Sequence, residues 1–272
     1  MEQRSSFEPG SGQLERGLNI LEFLTRAGAG RGLTDISAEV GGPKATVHRL
    51  LATLQARGYV NQDARTALYS AGVRCFELGS MWAQNLDLRA KAKPYLAELN
   101  EVTGETVHLA VYDHGQVVYV EKLESPQPVV AKSSVGLRCP ATCVATGRAL
   151  LAFQPREEID DVLALPLPQY TALSNTDPGE LRALLADVRH QGYGVNRGTY
   201  RDEVGGLAAP IRDHTGRVIA SVGVCLPLHR FGDDRFEALR DATVEAAVGI
   251  SAALGGPSSL VTSAAGAAAH AP

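Results

Sequence analysis

The stretch LTDISAEVGGPKATVHRLLATLQARGYV, residues 33–60, decides how the chain begins to fold. Ile36 and Val40 stand four apart in a short segment that Thr34 is placed to cap, which predicts a helix of two turns. Gly41, Gly42 and Pro43 then break it, because glycine admits turn backbone and proline lacks a helical donor. From Pro43 to Arg57 the apolar residues Val47, Leu50, Leu51 and Leu54 return at helical spacing. With that face turned inward, Lys44, Ala45, Thr46, His48 and Arg49 lie at the start or outer side, and the segment contains no acid. Two short helices joined by a tight turn form a helix-turn-helix, whose second helix enters the major groove of DNA by its early residues. Arg49 suits a bidentate pair with guanine or a phosphate, Thr46 a phosphate or a thymine methyl, and Lys44 a phosphate. The same residues also describe an ordinary solvated helix face. His48 divides between a DNA contact and packing on the neighbouring helix.

Working outward, LERGLNILEFLTRAG upstream carries Leu14, Leu18, Leu21 and Phe23/Leu24 as an apolar helical stripe. Downstream, YVNQD and TALYS predict two short strands joined through Ala64 and Arg65, an arrangement suited to a β-wing. Arg65 at its tip reaches a DNA backbone or minor groove, or is a plain turn arginine. Residues 73–87 predict a helix linking or pairing two halves; Phe76, Met81 and Trp82 on it pack either a partner helix or the chain's own core. Residues 1–13 and the uncharged 256–272 read as disordered tails.

A second domain starts near Leu88 with a helix, LRAKAKPYLAELNEVTG, in which Pro94 sits awkwardly. Strands follow in VHLAVYD, QVVYVEKLE and VVAKSS, then a helix from Thr142 to Phe153 and helices in PREEIDDVLAL and PGELRALLADVRHQG. The strands YGVNRGT, GLAAPIRD and VIASVGVCL, with a hairpin turn at DHTG, precede a long closing amphipathic helix. Gly205, Gly206 and Gly223 in these strands either open a cavity beside the sheet or serve bulges and close packing.

The 272 residues, 21% charged and 44% hydrophobic, suit a two-domain globular protein and exclude whole-chain disorder or a fibrous repeat. Net charge is −4 overall, but residues 1–72 hold 8 Lys/Arg against 7 Asp/Glu and residues 73–272 hold 18 against 23, so the basic end is the one suited to DNA. Cys75, Cys139, Cys143 and Cys225 are too scattered for a disulfide scaffold, no signal peptide is apparent, and no apolar run reaches the roughly 20 residues of a membrane span. A reducing cytoplasm is the expected compartment.

The spacing Cys139-x-x-x-Cys143 lacks the further ligands a metal needs, His108 and His114 define no catalytic pair, and no nucleophile elbow or phosphate loop occurs. A hydrolase or acyl-transfer enzyme with an accessory DNA domain is the alternative of a different class, and it requires a nucleophile and base within about 3 Å. An architectural DNA protein is a third, and it requires broad binding that no metabolite changes.

Together RGLNILEFL, the 33–60 stretch, ETVHLAV, VVYVEKLESP, GRALLAF and LAAPIRD resemble the IclR family of transcriptional regulators across residues 14–255. The resemblance implies an α+β protein: a winged helix-turn-helix over 14–72, a linker helix over 73–87 and a GAF-like α/β effector-binding domain over 88–255. It further implies no enzymatic activity and no cofactor. Members act as repressors or activators, binding palindromic operator DNA as homodimers or dimers of dimers, with a small metabolite altering the outcome.

By the same resemblance, effector contacts fall at Leu137, Cys143, Ala145, Thr146, Asn196, Gly206, Gly223 and Cys225, with the amides near Ala145 and Thr146 suited to a carboxylate. Members that take small carboxylates often have Asp, Cys and Ser where Asn196, Gly206, Gly223 and Cys225 stand here, and a His where Thr142 stands. Those departures argue for a bulkier, more apolar ligand, an aromatic acid or related catabolite.

Overall fold

A computed structural model describes residues 12–84 and 87–257, with side chains for all of them except 80–84 and 87. The tails expected at 1–13 and 256–272 lie outside the described residues apart from 12–13 and 256–257, and Gln13 already begins a helix. The chain divides into two compact units between Asn85 and Leu86.

The first unit runs α1 (Gln13–Ala27), α2 (Leu33–Val40), α3 (Lys44–Ala56), β1 (Val60–Gln62), β2 (Tyr69–Ala71) and α4 (Val73–Gln84). Its core is Ile20, Leu24, Ile36, Val47, Leu51, Val60 and Tyr69, drawn from every element but α4. The stripe expected on α1 is met in its second half, where Leu24 is buried and Leu21 and Phe23 pack against the core, whereas Leu14 and Leu18 remain 78% and 52% exposed and Ile20 is buried instead. Thr34 does not cap α2. Gly32 occupies that position, its N–H donating to Asp35 Oδ2 at 3.3 Å, and the Thr34 hydroxyl instead accepts from Lys44 Nζ at 2.9 Å. Between α2 and α3 the chain reverses through Gly41 and Gly42, whose φ of 69° and 109° side-chain-bearing residues rarely adopt.

The wing is an antiparallel pair with Val60 opposite Ala71 and Gln62 opposite Tyr69. Its strands are shorter than expected, and the joining loop is Asp63–Leu68, because the Asp63 carboxylate accepts the N–H groups of Arg65 and Thr66, both at 2.8 Å, in place of ladder bonds.

The second unit opens with α5 (Asp87–Thr103), which keeps Pro94 inside, and continues with β3 (Thr106–Asp113), β4 (Gln116–Leu123), β5 (Arg138–Pro140), α6 (Ala145–Leu151), α7 (Arg156–Ala164) and α8 (Pro178–Gln191). Then come β6 (Gly194–Arg197), β7 (Val204–Arg212), β8 (Val218–Pro227) and α9 (Asp233–Ala253). The six strands form one antiparallel sheet in the order β5-β4-β3-β8-β7-β6.

Strand alternation gives the sheet two unlike faces. On one, Val107, Leu109, Leu207, Ala209, Ile211, Val222, Val224 and Leu226 pack against α5 and α9 with Leu96, Leu99, Leu239 and Ile250. The other carries His108, Gly206, Ala208, Gly223 and Cys225 and faces α6, whose Ala145 and Ala149 meet Ala208 in a layer of small residues. VVAKSS forms no strand. Its carbonyls are taken by side chains instead: Val129 O by Arg230, Lys132 O by Arg201 and Ser133 O by Lys122. Those bonds arch the 125–137 connection over the small-residue face.

A buried carboxylate ties the start of β3 to the start of α9. Glu105 is 1% exposed and accepts from Arg230 Nε and Nη2 at 3.0 and 2.7 Å and from Arg235 Nη1 at 3.0 Å. Glu105→Ala leaves two guanidiniums unpaired in a tight site. The expected loss is about 2–3 kcal/mol, below the ~3–5 of a fully buried pair because both arginines reach solvent. It is read as a lower urea midpoint at unchanged slope, and an unchanged midpoint refutes it.

Candidate functional site

In the first unit, α3 turns Val47 and Leu51 into the core and leaves Lys44, Ala45, His48 and Arg49 exposed, with Thr46 half-buried. Lys44 is partly committed, since its ammonium donates to Thr34 on α2. Among the described residues Arg49 has no side-chain hydrogen bond or ion pair, so its guanidinium stands free on the outer face beside His48. Arg65 is exposed in the wing loop, on backbone held by the Asp63 turn. Phe76 is 75% exposed on α4, with Val73 and Leu78 also exposed. The side chains of Met81 and Trp82 lie outside the described residues.

The second unit contains a cavity between α6, the polar face of the sheet and the 125–137 connection. Strand register assembles its floor: Asn196 on β6 lies opposite Gly206 on β7, and Gly206 opposite Cys225 on β8. Leu137, Ala145 and Thr146 complete the group of six expected contacts that meet there. The remaining two do not line it. Cys143 is buried with its Sγ against Thr142 Oγ1, and Gly223 sits where a Cβ would fall 2.6 Å from that of Ala208. The glycines serve close approach, since a Cβ on Gly206 would lie 2.9 Å from Val224 O and one on Gly205 2.5 Å from the Phe231 ring, and Gly205 and Gly206 also line the cavity.

Sequence reading missed His108, Tyr119, Ser133, Tyr200 and Arg201, all of which line the cavity. His108 was detectable in part, because period-2 alternation with Val107 and Leu109 in the core sends it to the opposite face. Tyr200 and Arg201 follow β6 in a turn that carries no periodicity.

The cavity leaves about 50 Å³ for the centres of water molecules. That is room for roughly four waters, or one compact organic molecule. Its interior is mostly apolar, with a few neutral polar groups set into it. His108 Nε2 lies 2.8 Å from Ser133 Oγ, and the ring stacks on Tyr119 at 4.2 Å between centroids. Burial, reinforced by the charge of Lys122, holds the His108 pKa down to about 3, so the imidazole is neutral at physiological pH. Burial likewise pushes the Cys225 thiol up to about 12 and raises those of Cys139 and Cys143, which keeps all three protonated and poor nucleophiles. Thr146 Oγ1 is a buried atom with no hydrogen-bond partner; it lies close enough to the Tyr119 hydroxyl to oppose slightly its burial-raised pKa, but without hydrogen-bond geometry.

Asn196 is held from beneath. Its Oδ1 accepts from Thr199 N at 3.0 Å and lies 2.6 Å from Thr199 Oγ1, whose one proton is shared with Cys143 O, also at 2.6 Å. The buried Arg148 closes the network, donating to Thr142 O, Val195 O and Thr199 Oγ1. α6 spans seven residues, and the polar side chain it offers the cavity is that of Thr146. Among the described residues no cluster of three His, Cys, Asp or Glu is placed to hold a metal, and no helix is long and apolar enough to cross a membrane.

Comparison with known proteins agrees with both units. Residues 13–64 match the IclR helix-turn-helix domain and residues 81–252 the C-terminal domain of bacterial IclR transcriptional regulators. The HTH-type transcriptional regulator XynR of Escherichia coli K12 is 33% identical over 245 residues, covering 90% of this chain and 97% of XynR. The regulator KdgR of the same organism is 33% identical, covering 88% and 92%. A crystal structure of an IclR homologue from Microbacterium hydrocarbonoxydans, complexed with 4-hydroxybenzoate, superposes with a TM-score of 0.80 at 30% identity, covering 89% of this chain and 99% of that one. With a basic helix face exposed in one unit, a cavity in the other and family matches across both, the chain belongs to the IclR family of DNA-binding transcriptional regulators, which respond to small metabolites and are not enzymes.

Proposed function

We propose that the first unit reads a palindromic operator with α3 in the major groove, and that a compact organic acid, an aromatic one foremost, binds the second unit's cavity and changes operator affinity. The observation that carries the acid is the charge of the lining: Lys132 and Arg201 contribute cations, and no Asp or Glu takes part. Tyr119, Tyr200 and the His108 ring supply flat surface for an aromatic body. The 4-hydroxybenzoate bound by the Microbacterium homologue belongs to the same chemical class. We read the second unit, residues 88–255, as a GAF-like effector domain acting in the cytoplasm, with residues 73–87 as the linker helix.

On DNA, Arg49 is the base or phosphate contact of greatest weight, with Lys44, Ala45, Thr46 and His48 beside it and Arg65 reaching the backbone from the wing. A palindrome requires a two-fold dimer. The exposed Val73 and Phe76, one turn apart on α4, are the apolar surface we assign to it, with Met81 and Trp82 further along the same helix. The ligand acts by binding one conformation of that dimer more tightly than another.

Three outcomes follow. Arg49→Ala lowers operator affinity about 5- to 150-fold at fixed salt, measured by fluorescence anisotropy on the folded variant; wild-type affinity refutes the contact. Phe76→Asp moves the protein from dimer to monomer in sedimentation, and an intact dimer removes α4 from the interface. Finally, 4-hydroxybenzoate changes wild-type operator affinity where acetate and pyruvate do not, and an equal response to all three defeats the preference for aromatic acids.

A further inference from the structure

The cations around the cavity differ in how much of their bonding capacity is already used. Arg148 donates to three protein oxygens and lies buried beneath the floor. Lys122 pairs with Glu124 and donates to Ser133 O, both at 3.0 Å. Arg201 makes one bond, Nη1 to Lys132 O at 2.8 Å, leaving Nε and Nη2 without partners among the described residues. It has no carboxylate within ion-pair distance there, and its chain neighbours Asp202 and Glu203 do not line the cavity. Arg201 and Lys132 are exposed while Thr146, His108 and Asn196 are buried, so charge lies at the mouth and neutral polarity at the floor.

From this arrangement we propose that Arg201 is the residue that selects an anionic ligand, receiving its carboxylate at the mouth on the unpartnered Nε and Nη2. This rests on the reading of the cavity as an acid-binding effector site. Those two parallel donors match the two oxygens of a carboxylate. The remaining bond, Nη1 to Lys132 O, joins the turn after β6 to the arch over the cavity and holds the guanidinium at the mouth. The floor imposes the second half of the specificity. The unpartnered Thr146 hydroxyl and the neutral His108–Ser133 pair satisfy a hydroxyl, while a second ionised group there would be desolvated without a counter-charge. The ligand is therefore a monoanion, ionised at the end that faces Arg201 and carrying a neutral hydrogen-bonding group at the other.

The test titrates full-length wild type, Arg201→Gln and Arg201→Lys with 4-hydroxybenzoate and its uncharged isostere 4-hydroxybenzamide by calorimetry. Wild type is expected to favour the acid over the amide by about ten- to a hundredfold. Arg201→Gln brings the two close to parity by weakening the acid alone, and Arg201→Lys restores part of the preference because it keeps the charge without the planar fork. Acid affinity unchanged in Arg201→Gln overturns the assignment and leaves the acid-binding cavity standing. So does equal loss of acid and amide in a variant with the wild-type melting midpoint, which makes Arg201 a support for the mouth. If wild type binds the two probes alike, charge selection is absent; if it binds neither, the aromatic-acid reading and the role of Arg201 fall together.

Discussion

A guanidinium buried without a carboxylate holds the ligand-binding half of this protein together. Arg148 is 5% exposed, and burial lowers its pKa, yet an arginine side chain keeps its proton in any protein interior. The desolvation cost is offset by three neutral oxygens, contributed by the turn before α6, by β6 and by the turn after it. Those segments are far apart in sequence, and each donates a carbonyl or hydroxyl that would otherwise be buried with less to bond. Fixing Thr199 fixes Asn196, because Thr199 binds the Asn196 carbonyl oxygen through both its N–H and its hydroxyl. Arg148 directs its donors at these oxygens and does not itself line the cavity, so what it supplies there is the position of Asn196.

The two faces of the sheet divide stability from function. Against α5 and α9 the strands present branched aliphatics in a continuous apolar layer. Against α6 they present glycine, alanine, cysteine and histidine, and the helix can lie close only because Ala145, Ala149 and Ala208 are small. A Cβ on Gly194 of β6 would fall 2.9 Å from Ala145 O of α6, so the sheet side of this approach is kept free of a side chain as well. Close backbone packing leaves few large side chains to fill the edge of the interface, and the cavity lies at that edge.

What was legible in the sequence follows the range of the interactions concerned. Helix-turn-helix order could be read because Ile36, Val47 and Leu51 recur at helical spacing and the turn between them is glycine and proline. Most second-unit strands were likewise visible from alternation and from glycine-bearing runs. Only the first half of the α1 stripe failed: Leu14 and Leu18 keep the helical period of Leu21 and Leu24 but are exposed, and nothing local distinguishes a core leucine from an exposed one. VVAKSS failed for a related reason, since it has β-forming residues but its carbonyls are claimed by arginines 69 and 101 positions away and a lysine 11 away. Six of the eight expected effector contacts meet at the cavity, and of the three glycines read as opening it Gly205 and Gly206 line it while Gly223 does not. His108, Tyr119, Tyr200 and Arg201 were missed because strand register and a turn bring them in, and no short motif encodes that juxtaposition.

The charge balance sets two length scales against each other. Residues 73–272 carry 18 Lys/Arg and 23 Asp/Glu, a net −5, so the long-range field of the second unit repels an anion. At physiological ionic strength that field decays over about 8 Å, and beyond it an approaching metabolite is largely shielded from the distant acids. At the mouth the relevant charges are the exposed Arg201 and Lys132, and no carboxylate lines the site. Short-range attraction in a partly desolvated cleft outweighs a screened average of surface charge. A net acidic balance is therefore compatible with the anion site proposed inside this unit, because the two act at different distances.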